Sequence, residues 1–362
     1  MRNWPMIKVA DEFDLQMGKT PARDNPAYWG GEQKWASIAD IARSGMYLSD
    51  TKEAITQEAV SESGIKAVPQ NTVVMSFKLS LGRTAITASR MYTNEAIMAF
   101  LPHDATAFDL HFLYHLFSNR NWSEGCNKAV KGVTLNKATL NAARIPKPDI
   151  SEQRAVASTL DKICALMAKC DEQIVRLDQL VKSRFVEMFG DGSISIGRWD
   201  DVFIATTGKL DSNVAKEDGQ YPFFTCAKTP LKIDQYAFDC EALLLAGNNA
   251  AGVYDVKHYK GKFNAYQRTY VLRLTDDRWE YAVFKAQLES KLAKMQAASK
   301  GTMTKYLTLG ILKKLDFIVP PLALQREFAA FVEKVDKLAF AARQRREVAK
   351  QLYRAKIQEF FG

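Results

Sequence analysis

Gly18-Lys19-Thr20 has the form of the end of a phosphate-cradling loop, in which glycine amides and a lysine surround a polyphosphate. That cradle needs a glycine five places before Gly18, and Phe13 stands there. Asp24 with Glu32-Gln33-Lys34 imitates the Asp…Glu-x-Lys metal site of a nuclease. His111 and His115 stand four apart on a predicted helix, a spacing that offers two ring nitrogens to one metal, but the His-Glu-x-x-His glutamate is missing. The chain also has no Asn/Asp-Pro-Pro-Tyr/Phe tetrad, the motif that holds a flipped adenine in amino-methyltransferases. The expectation is therefore a chain without catalytic residues, metal or cofactor of its own.

A second set of side chains carries donors and acceptors suited to a nucleic acid. In the first half these are Lys78, Arg83, Arg90 and Asn94, flanking a predicted strand-turn-strand; in the second they are Asn248, Asn249, His258, Lys260, Gln267 and Arg268. Asn and Gln can grip adenine, Arg and Lys can grip guanine, and any of them can hold phosphate instead. Lys131-Gly132 and Lys300-Gly301 form a matched pair in which glycine lets a backbone amide approach a phosphate closely. The alternative for each residue is a solvated surface charge, and for Asn94 with its counterpart Asn264 a paired structural role.

These residues sit in elements that occur twice. Residues 144–190 can be laid on residues 316–362 without a gap, at an offset of 172, with identities that include Pro148/Pro320, Gln153/Gln325, Arg154/Arg326, Leu166/Leu338, Leu180/Leu352 and Phe189/Phe361. Between the two copies, Val73-Val74-Met75 with Gly82 matches Leu243-Leu244-Leu245 with Gly252 at an offset of 170. A period this long excludes a solenoid and implies internal two-fold symmetry.

Each copy opens with prolines and then runs free of proline and glycine to Gly190 or Gly362, which predicts one long helix. Val156, Leu160, Ile163, Met167, Cys170, Ile174, Leu177 and Val181 follow alternating steps of four and three, the seam of a coiled coil. The matching slots hold Phe328, Val332, Val335, Ala339, Ala342, Arg346, Ala349 and Tyr353. The shared register favours pairing of the two helices, antiparallel and roughly 57 Å long at 1.5 Å per residue, over packing on separate domains. Off the seam, Phe185, Met188, Phe340, Phe360 and Phe361 are available to dock partner helices or to pack on the neighbouring domain.

The predicted organisation is α+β: a mixed domain over 1–147, a long helix over 148–190, a second mixed domain over 191–319 and a second long helix over 320–362. Each domain is large enough to bury a core without staples. Five cysteines without CxxC spacing fit a reduced, cytoplasmic setting and exclude a disulfide framework or zinc site. Neither an apolar run of about 18 residues nor a leader is present, so a soluble protein away from membranes is expected. The net charge of +9 is spread over both halves rather than held in a tail, which suits a polyanion such as duplex DNA.

Trp4…Gly18-Lys19-Thr20-Pro21, Asn25-Pro26-Ala27-Tyr28-Trp29-Gly30-Gly31…Trp35 and Asp40-Ile41 resemble the opening of the specificity subunit of type I DNA restriction-modification systems. Ile145-Pro146-Lys147-Pro148…Glu152-Gln153-Arg154…Leu160-Asp161 and Val319-Pro320-Pro321…Leu324-Gln325-Arg326-Glu327-Phe328 resemble the starts of that family's conserved helices. Tyr221-Pro222-Phe223-Phe224, with Gly247-Asn248-Asn249 after it, resembles a common form of its second recognition domain. The resemblance implies two target recognition domains on a coiled-coil spacer, each reading half of a bipartite duplex target through the major groove. It further implies docking of two modification subunits that methylate adenine with S-adenosylmethionine, and of restriction subunits that use ATP and Mg. The remaining alternatives are an orphan or regulatory DNA-binding specificity protein, a scaffold that binds no DNA, and the recognition part of a fused methyltransferase or nuclease.

Overall fold

The computed structural model describes the chain except residues 1–3, 79, 123–127, 130, 131, 134, 191, 193, 250, 251, 302 and 303, with backbone alone at 128, 129, 132 and 133. It divides into two compact units, Met1–Cys170 with Gln344–Gly362, and Asp171–Arg343. Each unit therefore holds one mixed domain together with half of each long helix, Ile150–Phe189 and Leu322–Phe361.

In the first unit a five-stranded sheet runs in the order Phe13–Met17, Ile97–Pro102, Val73–Ser76, Thr84–Thr87, Tyr47–Leu48. The first three pairings are antiparallel and the last is parallel. The second unit repeats that order and sense with Phe203–Thr207, Thr269–Leu274, Phe238–Ala246, Val256–Ala265 and Tyr221–Phe224, and adds Leu231–Ile233 at the edge. The central strands are apolar throughout because both faces are covered: Val73 and Met75 join one core cluster and Val74 another, as Leu243 and Leu245 separate from Leu244. A short antiparallel pair closes each domain beside its long helix, Met6–Lys8 with Arg144–Pro146 and Ile196–Arg198 with Asp316–Ile318.

Gly18 and Gly208 each end the first sheet strand of their domain. A Cβ on Gly18 would lie 2.2 Å from the Thr93 carbonyl oxygen, and one on Gly208 would lie 1.7 Å from that of Ala265. The phosphate-loop look of Gly18-Lys19-Thr20 thus comes from a close backbone approach: Lys19 N donates to Thr93 O (2.8 Å), and the Thr20 hydroxyl is bonded to Glu95. Asn25-Pro26-Ala27-Tyr28 forms a single 3-10 turn, capped by the Asn25 side chain on Ala27 N (3.1 Å), ahead of strand Trp29–Ala36. Arg23 stacks over Trp29 (3.8 Å) and Trp35 (4.8 Å), and Trp35 donates to Lys19 O (3.0 Å). This aromatic motif builds the domain's minor sheet.

The seam periodicity reappears as burial. Val156, Leu160, Ile163, Cys170 and Leu177 are buried, with Met167, Ile174 and Val181 half-buried; Phe328, Val335, Ala339, Ala342 and Ala349 are buried, with Val332, Arg346 and Tyr353 half-buried. In the second unit Leu177 and Val181 pack with Phe331, Val335 and Ala339. In the first, Val156 and Leu160 share a core with Tyr353, Ile357 and Phe360. Each fully buried leucine or phenylalanine contributes about 1.5–3 kcal/mol relative to exposure, so the half-exposed helices are held mainly by these stripes. Among the described residues no helix is long and apolar enough to cross a membrane, and no cluster of His, Cys, Asp and Glu is arranged to hold a metal.

Candidate nucleic-acid interface

In the second unit the candidates divide into two groups. Asn248–Asn249 pairs antiparallel with Lys305–Tyr306, and Lys300 makes a bridge with Tyr306 through reciprocal amide bonds of 3.0 and 2.7 Å. Gly247 N donates to Arg268 O (2.7 Å), and the Arg268 guanidinium lies 5.1 Å over the Tyr306 ring. Gly301 adopts φ +104°, and a Cβ there would meet Thr304 O at 2.1 Å, so this turn requires glycine. The ribbon therefore brings together Asn248, Asn249, Arg268, Lys300 and Gly301. Exposed Arg268 and Lys300 and half-buried Lys305 make no ion pair among the described residues, and the buried Asn248 Oδ1 finds no donor there.

His258 and Lys260 lie elsewhere, on strand Val256–Ala265, and both are engaged by Glu241 at 2.9 Å. Burial pushes the Glu241 carboxyl up, but the bonds from Lys260 and His258 outweigh it and hold the group below its ordinary range. The same bond raises the Lys260 ammonium. His258 also stacks on Tyr281, 5.3 Å between ring centres. Gln267 is held by Asp211 (3.2 Å). Asn94 accepts from Ala96 N (3.1 Å) and braces a local turn, while Asn264 is buried and donates to Gln235 O (3.0 Å), tying its strand to the segment ahead of strand Phe238–Ala246.

In the first unit the turn after Val73–Ser76 is closed by Gly82 N and Arg83 N donating to Ser76 O and Oγ, at 2.9 and 3.1 Å. Gly82 (φ +78°) sits against Trp122, as Gly252 (φ +67°) sits against Lys305. Arg83 is exposed beside this turn, Lys78 lies 5.3 Å over Phe77, and Arg120 lies 5.2 Å over Trp122. Arg90 is drawn aside onto Tyr92, donating to its hydroxyl at 3.1 Å. Gly132 pairs with Ala129 in a short ribbon, and Lys131 lies outside the described residues. Sequence reasoning missed Tyr306, Lys305, Arg120 and Trp122. Their only signal is an aromatic near basic residues, and strand pairing and ring stacking supply the rest.

The two histidines form a polar core rather than a metal site. Asp161 on the first long helix receives His111 Nδ1–H (2.6 Å) and His115 Nε2–H (2.8 Å). The other ring nitrogens lie against hydroxyls, His111 Nε2 at 2.7 Å from that of Tyr47 and His115 Nδ1 at 3.2 Å from that of Tyr353, so every ring nitrogen has a hydrogen-bond partner. Burial lowers the His115 pKa against the opposing pull of Asp161, and burial pushes the Tyr353 hydroxyl up to about 12. The corresponding positions in the second unit are Ala282, Ala286, Glu333 and Val181, and there the space is open. Two adjoining hollows of 690 and 790 Å³ share His258, Ala282, Val332, Asp336 and Phe340.

Of the five residues expected to be available to partners, four are occupied. Phe185 packs on Phe189 and Phe328, Met188 joins the same core, Phe360 is buried, and Phe361 packs on Trp4 and Phe112. Burial on the adjoining domain wins because each helix end carries more apolar surface than its seam covers. Phe340 alone of these is exposed, at 61%. Two leucine pairs that the sequence repeats, Leu166/Leu338 and Leu180/Leu352, are exposed as well.

Residues 1–176 and 195–350 match the model of the type I restriction modification DNA specificity domain. The chain belongs to that family. It is 41% identical over 133 residues to the EcoDI specificity subunit of Escherichia coli, covering 37% of this chain and 28% of that protein. It is 27% identical over 194 residues to the MjaIX specificity subunit of Methanocaldococcus jannaschii, covering 52% and 44%. Each match therefore spans less than half the length of that relative. Among solved structures, the type I restriction-modification S subunit of M. genitalium aligns at a TM-score of 0.63 over 99% of this chain and 96% of that one, at 14% identity. A chain from work on complex assembly and conformational transition of the type I R-M system aligns at 0.59, over 100% and 98%, at 16% identity. At these identities the likeness is one of fold. Within the family, the doubled specificity domain accounts for the doubled sheet order of this chain.

Proposed function

We propose that the chain is a non-catalytic, sequence-specific DNA-binding specificity subunit, in which each mixed domain reads one half of a bipartite duplex target through the major groove. The observation that carries this reading is the repetition of one sheet order, one strand sense and one long helix in two units of a DNA specificity family. Two equivalent readers on antiparallel helices suit two half-sites separated by bases that are not read, much as dimer geometry sets half-site spacing elsewhere. Forty helical residues extend about 60 Å at 1.5 Å each, enough to set such a gap. In the second domain the reading edge is the ribbon of Asn248, Asn249, Lys305 and Tyr306 with Arg268, Lys300 and Gly301; in the first it is the turn of Lys78 and Arg83 near Arg120 and Trp122.

The exposed, repeated leucines and Phe340 suit docking of two modification subunits, one along each half, with restriction subunits joining the larger complex. S-adenosylmethionine, ATP and Mg then belong to those partners. The test is to express the chain with a modification subunit and map new N6-methyladenine in host DNA. A split motif with a fixed gap supports the proposal; a stable complex that methylates nothing, or a contiguous motif, refutes it. Replacing residues 1–147 by another recognition domain should change one half-site only.

A further inference from the structure

Gln153 and Gln325 occupy the same place in the two repeats, and each side chain is completely buried. Burying a primary amide requires nearly all its hydrogen-bonding capacity to be met. Gln153 Oε1 accepts from Asp109 N (2.9 Å), and its Nε2 donates to Pro148 O (3.0 Å) and Ala107 O (3.1 Å). Gln325 Oε1 accepts from Glu280 N (3.0 Å), and its Nε2 donates to Pro320 O (2.8 Å). Asp109 and Glu280 are the N-cap residues of the domain helices Leu110–Asn119 and Tyr281–Ser290. Pro148 and Pro320 lead into the long helices. One amide thus fastens the start of a domain helix to the start of a long helix, by the same two bonds in both units, to which Gln153 adds a third. The proline and glutamine identities of the repeat are two ends of one joint.

Resting on the proposed bipartite reading, we infer that Gln153 and Gln325 are positioning residues that fix the angle of each recognition domain on its long helix and thereby the length of unread gap that is accepted. Small angles matter at this joint. Over about 60 Å of helix, a tilt of about 3° displaces the far end by about 3.4 Å, one base-pair step. Among the described residues the two side chains hydrogen-bond to no candidate reading residue, so half-site sequences are unaffected. A rigid joint admits one gap, whereas a joint without its amide admits neighbouring gaps.

The test uses the full complex with its modification subunit. Gln153→Met and Gln325→Met keep side-chain volume and remove the amide. Methylation rates are measured on duplexes carrying the natural gap and gaps one base pair longer or shorter, alongside the thermal midpoint of each variant. The expected result is a fall of about tenfold in preference for the natural gap, with unchanged half-site bases and with selectivity restored in the Gln revertant. Equal loss at every gap, in step with a lowered midpoint, overturns the inference, and so does an unchanged preference. A wild-type complex that lacks any fixed-gap target instead refutes the bipartite reading itself.

Discussion

Asp161 and Glu333 occupy the same position of the two repeats, yet replacing them should have very different consequences. Asp161 receives two imidazole N–H groups, and one belongs to fully buried His115. In Asp161→Ala, His111 can turn to water, but His115 is left with an unpaired buried donor. An orphaned buried donor costs about 1–3 kcal/mol, and the lost partner is a carboxylate bonded twice, which places the expected loss at about 2–3 kcal/mol. Among the described residues Glu333 pairs only with Lys337, and the two side chains are 67% and 73% exposed. Glu333→Ala should be silent. Amide hydrogen exchange reads both units in one sample: Asp161→Ala should speed sub-global opening of Leu110–Asn119 by about 30- to 140-fold at 1.4 kcal/mol per tenfold, leaving Tyr281–Ser290 unchanged. Equal effects of the two substitutions, or a change under about fivefold for Asp161→Ala, would refute the buried-network reasoning.

The same network gives a pH dependence. Burial lowers the His115 pKa in the folded state, while an unfolded imidazole titrates near about 6.5; the associated stability is present above that pH and lost as pH falls below it, so the protection factors of Leu110–Asn119, taken relative to the intrinsic exchange rate at each pH, should fall between about pH 7 and 5.5. Arg268→Ala should weaken duplex binding by about 1–3 kcal/mol if its partner is a base edge, whereas Lys260→Ala, whose ammonium is already engaged by Glu241, should change fluorescence-anisotropy affinity little; comparable losses would show that the Arg268 ribbon is not the reading edge. Gly301→Ala must either adopt φ +104° or move a Cβ away from Thr304 O, at a cost of about 1–3 kcal/mol, and should impair recognition of the second half-site with the first retained in methylation footprints. Leu338→Asp with Phe340→Asp should abolish co-purification of one modification subunit without lowering the thermal midpoint; unchanged stoichiometry by native mass spectrometry would place docking elsewhere.

The long helices and the doubled fold were legible in the sequence because they depend on periodicity and on identity at a fixed offset, which are properties of order along the chain. Phe328, Val335, Ala339, Ala342 and Ala349 are buried on the stripe that the spacing predicts. Gly82 and Gly252, matched at the repeat offset, share a left-handed backbone. Tertiary structure alone decided which basic residues are spoken for. His258 and Lys260 looked equivalent to Arg268, but Glu241 lies across a strand pair from them, and nothing in their local sequence announces that neighbour. His111 and His115 kept the spacing of a metal pair, and their true partner, Asp161, comes from a helix some 50 residues on. Phe185, Met188, Phe360 and Phe361 met packing partners that helical spacing cannot name, whereas Phe340 stays exposed. Sequence fixes what recurs along the chain; ion pairs, stacked rings and buried amides form between distant segments, and their geometry exists only once the sheets and helices have packed.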